Sequence, residues 1–136
     1  MSLSRAALAA VAWIFVVMVV VQVFLAGIGL FGSGDMGAHV EFGYLVVMMP
    51  ILVLIAAAVA RAGRLAWISV GLVVLGIVQS ILPWFRDTVP FVAALHPVNA
   101  LALFWLGLFV ARRATGLARD PHPRATPAEG HAAAGT

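Results

Sequence analysis

The sequence predicts an all-α integral membrane protein: an antiparallel four-helix bundle built from two repeated helical hairpins, with both termini cytoplasmic. Three observations carry that reading. Of the 136 residues, 64% are hydrophobic and 10% charged, and the mean hydropathy is +1.12, far from the composition of a soluble domain. Four apolar stretches each come near the ~20 residues needed to cross the hydrocarbon of a bilayer. Finally, Gln22 to His39 and Gln79 to His96 are both seventeen residues, and the second pair is the first displaced by 57. These are the only glutamines in the chain and the only histidines before residue 120. A displacement of that size is about the length of a membrane hairpin with its connections, so the repeat assigns one glutamine and one histidine to each hairpin.

The first span is expected over residues 6–30. Its apolar run is too long for the core of a secretory signal, and no small-x-small cleavage pattern precedes the next span, so it is expected to be retained. Gly32, Ser33, Gly34 and Asp35 supply turn chemistry before the second span, residues 39–60. Ala62 and Gly63 make a tight turn into the third, residues 65–82. Pro83 and Pro90 bracket Trp84, Phe85, Arg86, Asp87 and Thr88, a stretch suited to a membrane interface, and the fourth span follows over residues 91–111. Trp84, Trp67 and Trp13 are placed near interfacial levels. Short connections make consecutive helices antiparallel neighbours. Residues 1–119 thus form the bundle, and residues 120–136, rich in proline, alanine, histidine and glycine without period, are expected to be a disordered cytoplasmic tail.

Orientation follows from arginine, because the chain has no lysine. Arg5, Arg61, Arg64, Arg112, Arg113, Arg119 and Arg124 fall on one side of the predicted bundle, and only Arg86, beside Asp87, falls on the other. The positive-inside rule makes the arginine-rich side cytoplasmic. The net charge of +3 is then a product of topology, and nucleic acid is not expected as a partner, since neither aromatic interleaving nor a soluble basic face is present.

With no cysteine, disulfides, thiolate metal sites, iron–sulfur clusters, covalent haem attachment and thiol catalysis are excluded. No Gly-rich phosphate loop, His-Glu-x-x-His helix or serine elbow occurs, so hydrolase, transferase and nucleotide-binding machinery are not visible. Ser69 and Ser80 are expected to bond back to their own helix. What remains are polar groups at membrane depth, each costly and therefore a functional candidate. His39 and His96 lead. They lie on the second and fourth helices, diagonal partners across a bundle in which neighbours are ~10 Å apart. Two imidazoles at one depth grip a flat metal cofactor from both faces. Gly43 and Ala100 each follow a histidine at i+4 and would leave room for a porphyrin, and Arg86 would pair with its propionates. A zinc or copper ion held by the two histidines alone would be short of ligands. Counting from Arg61 and Arg112 sets the histidines ~9 Å apart in depth at 1.5 Å per residue, whereas the repeat predicts one depth. Pro97 disfavours helical geometry at His96 and suggests a cap or kink there. Gln22 and Gln79 lie too deep in their helices to be evident partners of the histidines and are expected to bond across the bundle, with each other as one option, and Asn99 joins them or serves the backbone near Pro97. Glu41 points to a different face from His39 and is expected in the interface. His122 and His131 belong to the tail and are assigned no role.

The stretches Phe24-Leu25-Ala26-Gly27-Ile28-Gly29-Leu30-Phe31-Gly32, Gly37-Ala38-His39 and Leu95-His96-Pro97-Val98-Asn99-Ala100 resemble those of an uncharacterised family of small four-span bacterial membrane proteins. That resemblance covers nearly all of the chain except the tail and implies a multi-pass protein of the bacterial inner membrane, with no activity to carry over. More distantly, His39 and His96 are similar to the paired haem-ligating histidines in one four-helix half of haem A synthase. That family has two such halves and a carboxylate used in oxidising the haem, for which Glu41 is not in an equivalent place. The sequence therefore leads to a small b-type cytochrome-like protein binding one haem b between His39 and His96 near the outer leaflet, for electron transfer or haem handling. Its expected partners are the lipid bilayer and a membrane redox partner or larger complex. The opposing expectation is a cofactor-free accessory or scaffold subunit of a larger membrane complex.

Overall fold

The computed structural model describes residues 2–120; the expected tail beyond Asp120 lies outside them. The described chain is all-α, with four helical segments long and apolar enough to cross a membrane: Leu3–Gly32, Gly37–Val59, Arg64–Phe85 and Pro90–Arg119. Helix α1, Leu3–Ile28, passes into a π-helical turn over Gly29–Ser33. Gly34 reverses the chain with φ +72°, and the Asp35 carboxylate accepts a 2.8 Å hydrogen bond from the Gly37 N–H at the start of α2, Gly37–Val59. The loop folds back closely over α1: a Cβ on Gly29 would collide with the Met36 sulfur and lie 2.9 Å from the Asp35 carbonyl.

Helix α2 ends in a double hydrogen bond, Ala62 N–H to Ala57 C=O at 3.0 Å and Arg61 N–H to Ala58 C=O at 2.9 Å. This closing pattern needs a left-handed residue, usually glycine; here Arg61 fills it at φ +50°. Gly63, at φ +53°, completes the turn into α3, Arg64–Ile81. As expected, the hydroxyls of Ser69 and Ser80 donate to Leu65 and Gly76, four residues back, at 2.9 and 3.0 Å. A 3₁₀ turn over Leu82–Phe85, with Pro83 in it, follows α3. The fourth span comes in two pieces, a single turn α4, Pro90–Ala93, and the long α5, Leu95–Arg119, broken at Ala94. The break has a cause: Pro97 has no N–H for the Ala93 carbonyl, and its ring disfavours continuous helix there, but it is tolerated in the first turn of a new helix. Helix α5 continues past the predicted boundary at 111 to Arg119, its last turn being amphipathic with Ala114 and Ala118 buried.

Helix α1 packs against α2 and α5, and α3 packs against the same two. Among the described residues, no close backbone approach links α1 to α3 or α2 to α5, so these are the two diagonals of the bundle. The fully buried side chains gather towards the end that carries Arg61 and Arg112, where Leu8 and Phe15 of α1 meet Val53 of α2, Leu72 of α3 and Val110 of α5. Gly107 lets α5 close on α1, for a Cβ there would stand 2.8 Å from the Phe15 ring. Pro50, within α2 and fully buried, packs on Gly76 of α3. Large apolar side chains such as Phe24, Tyr44, Trp67 and Trp105 cover the outside, as a lipid-facing surface requires. At the opposite end the glutamines and histidines are half-buried.

Candidate functional site

The 57-residue repeat reappears as repeated geometry. In the first hairpin, His39 on α2 donates through Nδ1–H to the Gln22 backbone carbonyl of α1 at 3.1 Å. In the second, His96 on α5 donates through Nδ1–H to the Gln79 carbonyl of α3, also at 3.1 Å. Each ring is thus tied by the same atom to the glutamine seventeen residues before it. Because a carbonyl only accepts, Nδ1 carries the proton in both rings, and the lone pair of each neutral imidazole is at Nε2. The Gln79 amide nitrogen sits 3.1 Å from Nε2 of His96; that of Gln22 is 3.5 Å from Nε2 of His39 and donates more closely, at 2.7 Å, to the His39 carbonyl.

The two histidines belong to diagonal helices, yet their rings meet, with centroids 6.2 Å apart and planes at 74°. The conflict between the two sequence-based depths is resolved in favour of the repeat. Counting from the arginines misleads because α5 does not end at Arg112 but continues to Arg119, so that arginine does not mark the helix end as Arg61 does.

The glutamines do not bond to each other. The correction has a physical origin in the loops: the fold-back at Gly29 and Met36 starts α2 well below the tip of α1, which brings His39 level with Gln22 although the glutamine is deep in its helix. Asn99, one turn after His96, does join the cluster. Its Nδ2 donates to the Leu75 carbonyl at 2.9 Å and to Gln79 Oε1 at 2.6 Å. Gln22, Gln79 and Asn99 are therefore partners of the site that residue typing alone did not assign, and the constant glutamine-to-histidine spacing was the signal for the first two.

Around the pair, Gly43 makes room that the Gln22 amide occupies: a Cβ there would lie 2.9 Å from Gln22 Nε2. A flat ring lying against α2 at that point would displace the amide. Ala100 is half-buried beside Asn99. Arg86 stands at the histidine end of the bundle, largely exposed, with Nε 3.3 Å from the Asp87 carboxylate. Glu41 is exposed. Among the described residues, no three histidine or carboxylate side chains group to hold a metal ion.

The two rings meet edge to face, and Nε2 of His96 already faces the Gln79 amide nitrogen at 3.1 Å, so its lone pair opens to another partner only when that amide turns away. The hydrogen bond from Nδ1–H to a backbone carbonyl is what orients a metal-ligating histidine and raises the basicity of Nε2.

Residues 22–86 match a family of unknown function, DUF6220. The match agrees with the resemblance to an uncharacterised family, and it includes Gln22, His39 and Gln79 while stopping short of His96. No curated protein and no solved structure matches the chain, so the likeness to haem A synthase rests on His39 and His96 alone.

Proposed function

We propose that this protein is a small b-type membrane cytochrome that holds one haem between His39 and His96. The observation that carries this reading is the meeting of two imidazoles from diagonal helices at 6.2 Å, each held at Nδ1 by the carbonyl of a repeat-related glutamine. Gln22 and Gln79 would orient the two ligands through their backbone carbonyls, with the Gln79 amide turned away from His96 Nε2, and Gly43 and Ala100 would lie beside the porphyrin once the Gln22 amide moves off the Gly43 surface. Arg86, at the same end, would offer its guanidinium to the propionates in exchange for Asp87. A haem bound by two protein ligands supplies one-electron exchange, and closing both axial positions favours electron transfer over oxygen activation; haem storage or delivery is the second use of the same site. The seven-to-one arginine distribution supports a cytoplasmic arginine end, which in a bacterial inner membrane would set the site near the outer leaflet.

The test is a reduced-minus-oxidised absorption spectrum of the protein purified in mild detergent after expression with haem precursor. Sharp Soret and α bands with about one haem per chain are expected. A colourless protein that takes up no added haem would end this reading and leave a cofactor-free accessory subunit.

A further inference from the structure

Helix α5 carries two rows of side chains at i, i+4 spacing, Trp105-Phe109-Arg113 and Leu108-Arg112. Between the rows runs an open groove of about 360 Å³, lined by these five residues. Each row is apolar towards the middle of the fourth span and ends in an arginine, so the groove passes from hydrocarbon-like to cationic along its length. That is the profile a lipid presents in one leaflet, from acyl chain to charged head.

The Arg113 guanidinium sits over the Phe109 ring, 5.4 Å from its centroid, within the range of a cation–π contact. An arginine at the edge of a span ordinarily stretches away from the hydrocarbon to reach water. Arg113 instead turns back by one helical turn, onto a ring that is itself 41% exposed. Its charge is thereby held at the level of the groove, and a guanidinium stacked on a ring keeps its in-plane N–H donors for an acceptor. Among the described residues no carboxylate pairs with Arg112 or Arg113; the Arg86–Asp87 pair belongs to the histidine end. Two cations that open towards lipid and lack a protein counter-charge call for an anion that lies in the membrane.

We propose that this groove binds one anionic phospholipid, with its phosphodiester between Arg112 and Arg113 and an acyl chain along Leu108, Phe109 and Trp105. Guanidinium groups take phosphate oxygens through paired N–H···O bonds, and basic pockets at the membrane edge of a bundle select acidic heads. A head that carries an amine, as in phosphatidylcholine, cancels the charge the arginines recognise, whereas a glycerol head leaves it. This site is on the outside of α5 and does not depend on the haem reading.

The test uses the full chain in mild detergent, with bound lipid counted by native mass spectrometry as phosphatidylglycerol or phosphatidylcholine is added. The wild type is expected to retain one phosphatidylglycerol per chain and to prefer it to phosphatidylcholine. Arg112→Gln combined with Arg113→Gln should weaken that binding about thirtyfold, the scale of two basic side chains at an anionic surface. Arg64→Gln combined with Arg119→Gln removes the same charge from exposed positions at the same end and should leave binding near the wild-type level. All four arginines are exposed, so the helical circular dichroism of both double variants should match the wild type. An equal loss in the two double variants would mean diffuse attraction to the arginine end, and equal retention of the two lipids would mean no selection by charge; either result overturns the site. Displacement of the lipid by inorganic phosphate would also overturn it, since an anion without an acyl chain would then suffice.

Discussion

At the scale of single residues, the site is decided by where each proton sits. Asn99 donates to Gln79 and to the Leu75 carbonyl, Gln79 donates to His96, and His96 donates back to the Gln79 carbonyl. Replacing Asn99 with Leu leaves Gln79 Oε1 without its donor; the expected cost is about 1 kcal/mol, within the range of membrane hydrogen bonds, read as a lower unfolding midpoint in detergent. Gln22→Leu should cost a similar amount, because it removes the 2.7 Å bond that the Gln22 amide donates to the His39 carbonyl. The histidine pair was legible in the sequence from its spacing. The same spacing marked its glutamine partners, but their contact with the histidines was not legible, because sequence counting treats each helix end as the level of the next helix's start. The fold-back of Met36 onto Gly29 moves that level, and such a reversal is set by loop geometry that no side-chain pattern displays.

At the scale of helices, close approach rests on particular glycines. Gly107→Ala would place a methyl 2.8 Å from the fully buried Phe15 ring, which cannot retreat. A loss of 1–3 kcal/mol is expected, roughly the cost of overpacking. Gly116→Ala on the same helix meets nothing within 4 Å and should gain about 0.5–1 kcal/mol from helix propensity; thermal unfolding of both variants separates contact from propensity. Gly63→Ala should destabilise the turn between α2 and α3, since φ +53° with ψ −118° is a conformation that a Cβ opposes. The four spans were legible from apolar length, and the turn residues from their type. The break at Ala94 was only partly so: Pro97 announced an irregularity at His96, and the structure answers with a new helix that begins at Leu95. The continuation to Arg119 was hidden because the last turns, rich in arginine, no longer read as apolar although one face stays packed.

At the scale of the whole molecule, the bundle divides into a packed half and a polar half. Side chains such as Leu8, Phe15, Leu72 and Val110 fill the arginine end, and the half-buried glutamine and histidine pairs occupy the other. That division suits a protein that keeps one end rigid and uses the other for a ligand. Single cysteines introduced at Asp35 and Asp87 should react with an impermeant thiol reagent from outside intact cells, and one at Gly63 should not; labelling of Gly63 from outside would invert the orientation and move the site to the cytoplasmic leaflet. The central claim is that His39 and His96 ligate one iron, and the low-temperature electron paramagnetic resonance of the oxidised, purified protein tests it most directly. A low-spin signal is expected in the wild type, which His39→Ala and His96→Ala should each convert to high-spin or abolish, because removing either imidazole opens one face of the iron. A haem signal that survives both substitutions unchanged would contradict it.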